Sequence, residues 1–270
     1  MATTTQTTPT SLSLPQDARL WIVRDAFAVA YRNLLAYIRV PQLLVFSTIQ
    51  PVIFVLMFRY VFGGAITVPG VPYVDFLMPG IFIQTVIFGA MSTGIGLATD
   101  IKSGLLERFR SLPMSRSAVL AGRTLADLGR NVFVAILMVV VGFLVGFRIH
   151  TSFIAFLGGF ALVLLFGYTF SWVMATVGLA VGDPETAQAA AFPLIAPLVF
   201  ASSAFVPPDS MPGWLQVFAE HQPLSVTTTA VRALMIGGPT RSPVIQTILW
   251  CAGIVIVFAP LAVRRYRRTV

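Results

Sequence analysis

The sequence predicts an all-α integral membrane protein with six transmembrane helices. Of its 270 residues, 57% are apolar and 10% are charged, whereas soluble domains contain about 25% charged residues. Long uncharged stretches separate the charges, and a bilayer core needs roughly 20 apolar residues per helix. Backbone groups in lipid must be hydrogen-bonded within the chain, which favours helices, and the alternating strands typical of a membrane barrel are absent from the sequence.

Six uncharged windows define the predicted spans, with lengths of 19, 24, 17, 32, 23 and 22 residues. The third is short, and we expect its helix to begin earlier because Arg130 and Arg123 can extend towards the lipid headgroups. The fourth exceeds the bilayer core, which fits a tilted helix. The windows lie between Arg39 and Arg59, Asp75 and Asp100, Arg130 and Arg148, His150 and Asp183, Glu185 and Asp209, and Arg241 and Arg264.

The distribution of basic residues predicts the orientation. An even number of spans places both termini on one side of the membrane. With that side cytoplasmic, 14 of the 18 lysine and arginine residues lie inside and 4 lie outside, as the positive-inside rule requires. We therefore predict cytoplasmic termini, and the net charge of +8 needs no nucleic-acid partner.

The segments outside the spans differ in character. Residues 1–16 are rich in Thr, Ser and Pro and predict a disordered cytoplasmic tail. Residues 17–40 predict an amphipathic helix on the inner membrane surface, serving as an anchor or as part of a docking surface. Residues 41–264 form the predicted six-span domain, and residues 265–270 form a basic cytoplasmic tail. The apolar face of the surface helix consists of Leu20, Val23, Phe27, Tyr31, Leu34 and Ile38.

The sequence lacks the motifs that several kinds of transport and catalysis require. No window has a charge near its middle, which argues against ion-coupled transport and favours a hydrophobic solute. The only lysine, Lys102, does not lie in a phosphate-binding loop, so the chain is not expected to hydrolyse ATP. Cys251 is the single cysteine and lies in an apolar run. We predict no catalytic residues, no metal site and no cofactor in this chain, and the sequence assigns no substrate-binding residues.

The connection between the second and third windows contains an apolar row at helical spacing, formed by Ile101, Leu105, Phe109 and Leu112. Pro113 is expected to end this helix. A basic loop that only fixes topology needs no apolar row, whereas an element that docks another protein does. Both interpretations stay open. At the second inner turn, the sequence Asp183-Pro184-Glu185 is typical of a helix start.

Four segments resemble type-2 ABC export permeases, in particular those of the daunorubicin-resistance branch. The resemblance runs from about residue 20 to the end of the chain, in the family's order and at plausible spacing. The segments are LERFRSLPMSR at 106–116 with GRTLAD at 122–127, LMPGIF at 77–82, VGDPETAQ at 181–188, and FVPP at 205–208 with MPGWL at 211–215 and EHQP at 220–223.

This resemblance implies a permease in the bacterial cytoplasmic (inner) membrane that exports a hydrophobic or amphiphilic compound, such as an antibiotic-like drug or a lipid. Two copies of a separate ABC ATPase, which bind ATP and Mg²⁺, would drive it together with a second permease protomer, identical or related. It also implies short re-entrant helices before the last span. The implied ATPase contacts, supported by the surface helix, are Glu107, Arg108, Phe109 and Arg110, with a minor contact at Asp183 and Glu185.

Two alternatives remain at this point. One is export of a lipid-linked glycan or polysaccharide. The other, from a different class, is a membrane protein that docks an ATPase without transporting anything. An outer ion pair between Arg59 and Asp75 is a further expectation, without functional consequence if both side chains are solvated.

Overall fold

The computed structural model describes residues 31, 41–66, 68, 70–105 and 116–269. Within these residues the chain contains eight α-helices and no strands. The predicted tail 1–16, the surface-helix segment 17–40 apart from Tyr31, and the predicted contact residues Glu107–Arg110 lie outside the described residues. The helices are α1 (Pro41–Leu56), α2 (Tyr73–Lys102), α3 (Arg116–Leu144), α4 (Phe153–Val181), α5 (Pro184–Phe200), α6 (Gly213–His221), α7 (Pro223–Ile236) and α8 (Arg241–Thr269).

Four helices are long and apolar enough to cross a membrane: α2, residues 120–144 of α3, α4 and most of α8. The first and fifth predicted windows form shorter helices. α1 continues as a π-helical segment, Met57–Phe62, and α5 has 17 residues. The helical prediction is therefore confirmed for the described residues, and four of the predicted spans meet the length and hydropathy that a bilayer requires.

Helix α2 is the centre of the bundle. Every residue from Tyr73 to Ile87 is buried, and the helix packs against α3, α4, α5 and α7. Its closest neighbour is α4, where Gly178 meets the backbone of Gly94, so a side chain at Gly178 would collide with α2. Small residues allow two membrane helices to approach closely, because dispersion contacts replace the hydrophobic driving force that lipid removes.

The bundle has two ends, which we name after the two ends of α2. At the Tyr73 end, the Tyr73 hydroxyl donates to the Phe205 carbonyl at 3.0 Å, and Phe58 stacks on Phe205 with ring centroids 4.5 Å apart. At the Lys102 end, Tyr266 and Leu120 are buried in one apolar cluster with Leu97 and Leu179. Consecutive long helices therefore alternate in direction.

Helix α3 corrects one expectation about the third window. The helix begins before Arg130, as predicted, but Arg130 is only 7% exposed. Its guanidinium donates to the Gly89 carbonyl and to Asn131 Oδ1. The prediction that Arg130 extends to the headgroups is therefore wrong, because carbonyl and amide oxygens inside the bundle receive its hydrogen bonds. The prediction that no charge lies near the middle of the third span is wrong as well, because Arg130 lies inside α3.

The apolar row beyond α2 is also interrupted. Helix α2 ends at Lys102, with Ser103 as its C-cap, and Gly104 adopts a left-handed φ of 69°. Glycine tolerates this conformation, which commonly follows a helix C-terminus. Ile101 therefore belongs to α2 and does not continue into a helix shared with Leu105.

Between the fifth and sixth windows the chain forms the two short helices α6 and α7. Most of α7 is buried, and it packs against α2, α4 and α8 at the Tyr73 end. In contrast, Trp214 on α6 is 76% exposed. The two short helices are thus present, and their re-entrant placement in a membrane remains a prediction.

Candidate functional site

At the Lys102 end, the start of the α2–α3 connection lies beside the turn between α4 and α5. Lys102 is the last residue of α2, and its Nζ lies 2.7 Å from Asp183 Oδ1 in the turn between α4 and α5. The side chains are 62% and 37% exposed, so both remain accessible to a partner. An ion pair this exposed stabilises the fold little, but it joins the start of the α2–α3 loop to the second turn.

Asp183 also begins α5. Its carboxylate accepts hydrogen bonds from the Thr186 amide and hydroxyl, both at 3.0 Å, and Pro184 occupies the first turn. The helix-start interpretation of this turn is therefore confirmed. Glu185 in the same first turn is exposed. A contact between either carboxylate and an ATPase remains a prediction.

The charge state of Asp183 predicts a pH effect. The hydrogen bond from Lys102 and those from Thr186 lower the pKa of Asp183 from 3.8 to about 2. Stabilisation from a carboxylate of lowered pKa is complete above the unfolded-state value and is lost as the pH falls towards the folded-state value. We expect Asp183→Ala, which loses both the cap and the charge, to flatten the decline in thermal stability between about pH 4 and pH 2. Differential scanning fluorimetry in detergent measures it, and Asp209→Ala, at an exposed carboxylate of the other end, is the control. An unchanged pH profile would contradict the assignment.

A second charge cluster, more buried than the Lys102–Asp183 pair, connects α2 to α3. Arg123 Nη1 lies 2.9 Å from Asp100 Oδ2, and Arg123 Nε lies 3.8 Å from Asp127 Oδ2. The Thr93 hydroxyl donates to Asp127 at 2.6 Å, and Asp127 is 1% exposed. Burial makes such contacts sensitive to the loss of one partner. Both flanks of loop 103–115 are thereby fixed to the bundle, through Lys102 on one side and Arg123 on the other.

A groove of about 620 Å³ opens between α2 and α3 beside this charge cluster. It is lined by Ser92, Ile95, Gly96, Thr99, Asp100, Arg123 and Arg130. The groove therefore runs from the charged Lys102 end to an arginine near the middle of the bundle.

At the Tyr73 end, a buried carboxylate replaces the ion pair that the sequence suggests. Asp75 is 2% exposed. It accepts a hydrogen bond from the Arg148 amide at 2.9 Å, and its Oδ2 lies 2.8 Å from His150 Nε2. The expected pairing of Asp75 with Arg59 is wrong, because Asp75 on α2 faces the α3–α4 connection instead of the α1–α2 connection.

Arg232 has a structural role that sequence reasoning missed. Its Nε donates to the Phe76 carbonyl at 2.9 Å, and its Nη2 donates to the Ser203 and Ala204 carbonyls at 2.6 and 3.1 Å. The guanidinium also lies 3.5 Å from the centre of the Phe76 ring, a favourable cation–π distance. One arginine thus fastens α7 to α2 and to the chain after α5. Its partners are 28 to 156 residues away, so no local pattern indicates them.

Comparison with known proteins gives a consistent result. The profile of the ABC-2 type transporter family matches residues 24–236. A daunorubicin resistance ABC transporter permease protein of Streptomyces coeruleorubidus is 37% identical over 250 residues, covering 93% of this chain and 88% of that protein. A probable doxorubicin resistance ABC transporter permease protein of Mycobacterium tuberculosis is 31% identical, covering 96% and 94%. A putative transport permease of Cyanophora paradoxa is 26% identical, covering 79% and 75%.

Proposed function

Because the chain belongs to the ABC-2 type transporter family, we propose that it exports a hydrophobic or amphiphilic compound, an antibiotic-like drug or a lipid, across the cytoplasmic membrane. It is the membrane permease subunit of an ABC exporter. The observation that supports the proposed substrate class is 37% identity over 93% of the chain to a daunorubicin resistance permease. A separate ATPase subunit binds ATP and Mg²⁺ and supplies the energy.

The proposed topology has six spans: α1 with its π-helical continuation, α2, α3, α4, α5 and α8. At about 1.5 Å per residue, residues 41–62 extend about 30 Å, close to the thickness of the hydrocarbon core. Helix α5 is shorter, and its large side chains Phe192 and Phe200 are more than half exposed, as expected where lipid is the neighbour. Helices α6 and α7 stay on the outer side in this arrangement.

The orientation is tested by cysteine labelling. With the Lys102 end in the cytoplasm, we expect Ser210→Cys to react with a membrane-impermeant maleimide in intact cells and Ser103→Cys to react only after permeabilisation. Both positions are exposed, and the native Cys251 is 2% exposed, so background labelling is low. Labelling of Ser103→Cys in intact cells would reverse the topology.

The proposed coupling element is the α2–α3 loop. Its residues Glu107 to Arg110 contact the ATPase, with support from the surface helix of residues 17–40. The ion pairs of Lys102 and Arg123 at the flanks of this loop support the proposal, because a loop fixed at both ends can transmit a displacement to α2 and α3. The carboxylates of Asp183 and Glu185 form the minor second contact. Closure of the ATPase pair around ATP would thereby move the inner halves of these helices.

The proposed complex has two permease protomers and two ATPase subunits. In the type-2 family that the chain resembles, two permease protomers together form the membrane part, so the proposed transport route lies between protomers. Native mass spectrometry of the complex purified with its ATPase is expected to show two chains of each kind. A stable one-to-one complex that transports substrate would contradict this stoichiometry.

A further inference from the structure

We propose that α8, at the Lys102 end of the bundle, binds an anionic phospholipid of the surrounding membrane through Arg264, Arg267 and Arg268. The phosphate of the lipid would lie against these guanidinium groups, and one acyl chain would follow the exposed face of α8 towards the middle of the bundle. The inference goes beyond the proposed function, because it concerns a lipid that surrounds the permease and not the compound that is exported.

Tyr266 fixes the orientation of the last turns of α8. Its side chain is 2% exposed and packs in the apolar cluster of the Lys102 end. Successive residues of an α-helix are about 100° apart, so Arg264 and Arg268, each two residues from Tyr266, point to the opposite side. Arg267 lies about 100° from Tyr266, at the edge of that side. All three arginines are exposed and face away from the bundle.

The depth of these arginines matches the lipid headgroups. The sixth window, between Arg241 and Arg264, has 22 uncharged residues, which extend about 33 Å as a helix. This length is close to the roughly 30 Å of the hydrocarbon core, beyond which each headgroup layer is about 5–7 Å thick. Arg264 thus lies at the boundary of the core, and Arg268, one turn further on, lies about 6 Å beyond it.

The three arginines have no carboxylate partner of their own. None of the ion pairs among the described residues includes them, and Asp100 and Asp183 at the same end pair with other cations. Arg265 differs, because it already has a partner within the protein, and it is not part of the proposed surface. Guanidinium groups bind phosphate oxygens through paired N–H donors, and basic clusters next to a span attract anionic lipids.

An exposed apolar stripe leads from these arginines along α8. Val257 and Leu261 precede Arg264 at steps of four and three residues, the spacing of one helix face, and are 53% and 40% exposed. At Gly253, one turn before Val257, no described atom lies within 4 Å of the position that a side chain would occupy. From Gly253 to Arg264 the stripe is about 16 Å long, close to half of the hydrocarbon core. One acyl chain of the inner leaflet therefore fits along it.

The positive-inside rule alone does not require this arrangement. That rule counts the basic residues on each side of the membrane, whichever way their side chains point. Here a buried tyrosine directs three of the four arginines within residues 264–268 away from the bundle, in line with an apolar stripe. Phosphate-binding groups at the headgroup level next to apolar side chains at the acyl level fit an anionic phospholipid.

The test uses the permease with its ATPase in nanodiscs that contain equal amounts of phosphatidylglycerol and phosphatidylcholine with the same acyl chains. The complex is released into mild detergent, and native mass spectrometry counts the lipids that it retains. We expect phosphatidylglycerol to exceed phosphatidylcholine by at least about fivefold, the preference that one arginine gives near an anionic surface. Phosphatidylcholine gains less because it carries its own cation beside the phosphate.

Variants assign the preference to this surface. The triple variant Arg264→Gln/Arg267→Gln/Arg268→Gln should lower the ratio towards one, and Arg268→Gln alone, which covers an unstable triple variant, should lower it in part. Arg264→Lys/Arg268→Lys keeps the charge and should retain most of the preference. Arg241→Gln removes an exposed arginine from the other end of α8 and should leave the ratio unchanged.

Equal retention of the two lipids by the unmodified complex, or an undiminished ratio in the arginine-to-glutamine variants, would overturn the inference. Displacement of phosphatidylglycerol by free glycerol phosphate at equal concentration would mean an ion site and would overturn it as well. Loss of the ATPase from the triple variant in pure phosphatidylcholine would show that the arginines bind the ATPase instead of lipid. None of these measurements involves export, so their outcome is separate from that of the proposed function.

Discussion

Phe109→Asp is expected to abolish ATP-driven export while the permease inserts at its normal level. If the α2–α3 loop docks the ATPase, the substitution places a carboxylate in an apolar contact, at a cost of several kcal/mol unless it is paired. Affinity for the ATPase then falls by roughly two or more orders of magnitude. The change leaves every arginine of the loop in place, so the topology signal is intact. Co-purification of the ATPase and efflux of a fluorescent amphiphile are the measurements.

Controls at the same loop separate docking from topology. Phe109→Leu keeps the apolar contact and should retain most of the export. Glu107→Ala should have a smaller effect than Phe109→Asp unless the partner buries this charge. If the loop only fixes topology, Phe109→Asp is nearly silent. Normal co-purification and normal efflux in Phe109→Asp, at normal expression, would refute the loop as the coupling element.

Arg123→Leu is expected to destabilise the folded permease by about 3 kcal/mol. Arg123 is 16% exposed and contacts two carboxylates, of which Asp127 is 1% exposed. Removing the cation leaves both negative charges between α2 and α3, a position where their hydration is poor. In a domain of this size the loss corresponds to a fall in thermal midpoint of roughly 6–12 °C, which fluorimetry of the purified protein in detergent can measure.

Two matched variants test whether the loss of stability comes from the buried charge cluster. Arg264→Leu removes an exposed arginine from the same end and should leave the thermal midpoint nearly unchanged. The double variant Arg123→Leu/Asp127→Leu should recover part of the loss, because it removes the buried charge together with its counter-charge. A thermal midpoint for Arg123→Leu equal to that of Arg264→Leu would show that the cluster contributes nothing to stability.

Hydropathy predicted the helices well, because it measures the property that a bilayer selects. The second and sixth windows lie inside α2 and α8, and α4 lies inside the fourth window. The start of α5 was located by its capping aspartate, which is a local signal. Hydropathy placed the start of α3 less well. A window measured between charges assumes that a span ends at each charged residue. Arg123, Asp127 and Arg130 instead lie inside α3 and have partners on α2.

The burial of charged residues and the identity of their partners could not be predicted from the sequence. Asp75 and Arg232 look like residues of outer loops, and their partners are 28 to 156 residues distant in the chain. A hydrogen bond between residues on different helices produces no periodic pattern in the sequence. Asp183 shows the contrast: its cap on Thr186 follows from three neighbouring residues, whereas its ion pair with Lys102 depends on how α2 and α4 pack. The contact residues Glu107 to Arg110 rest on family resemblance and remain predictions.

The central claim is that this permease moves an amphiphile using ATP hydrolysed by a partner. The direct measurement is uptake of a fluorescent amphiphile into proteoliposomes that contain the purified permease and ATPase, with the ATPase domains facing outwards. We predict accumulation with Mg²⁺-ATP and none with a non-hydrolysable analogue. An ATPase that binds the permease and hydrolyses ATP while no phosphate-, hydroxyl- or ammonium-ended amphiphile accumulates would contradict the claim and identify a docking protein without transport activity.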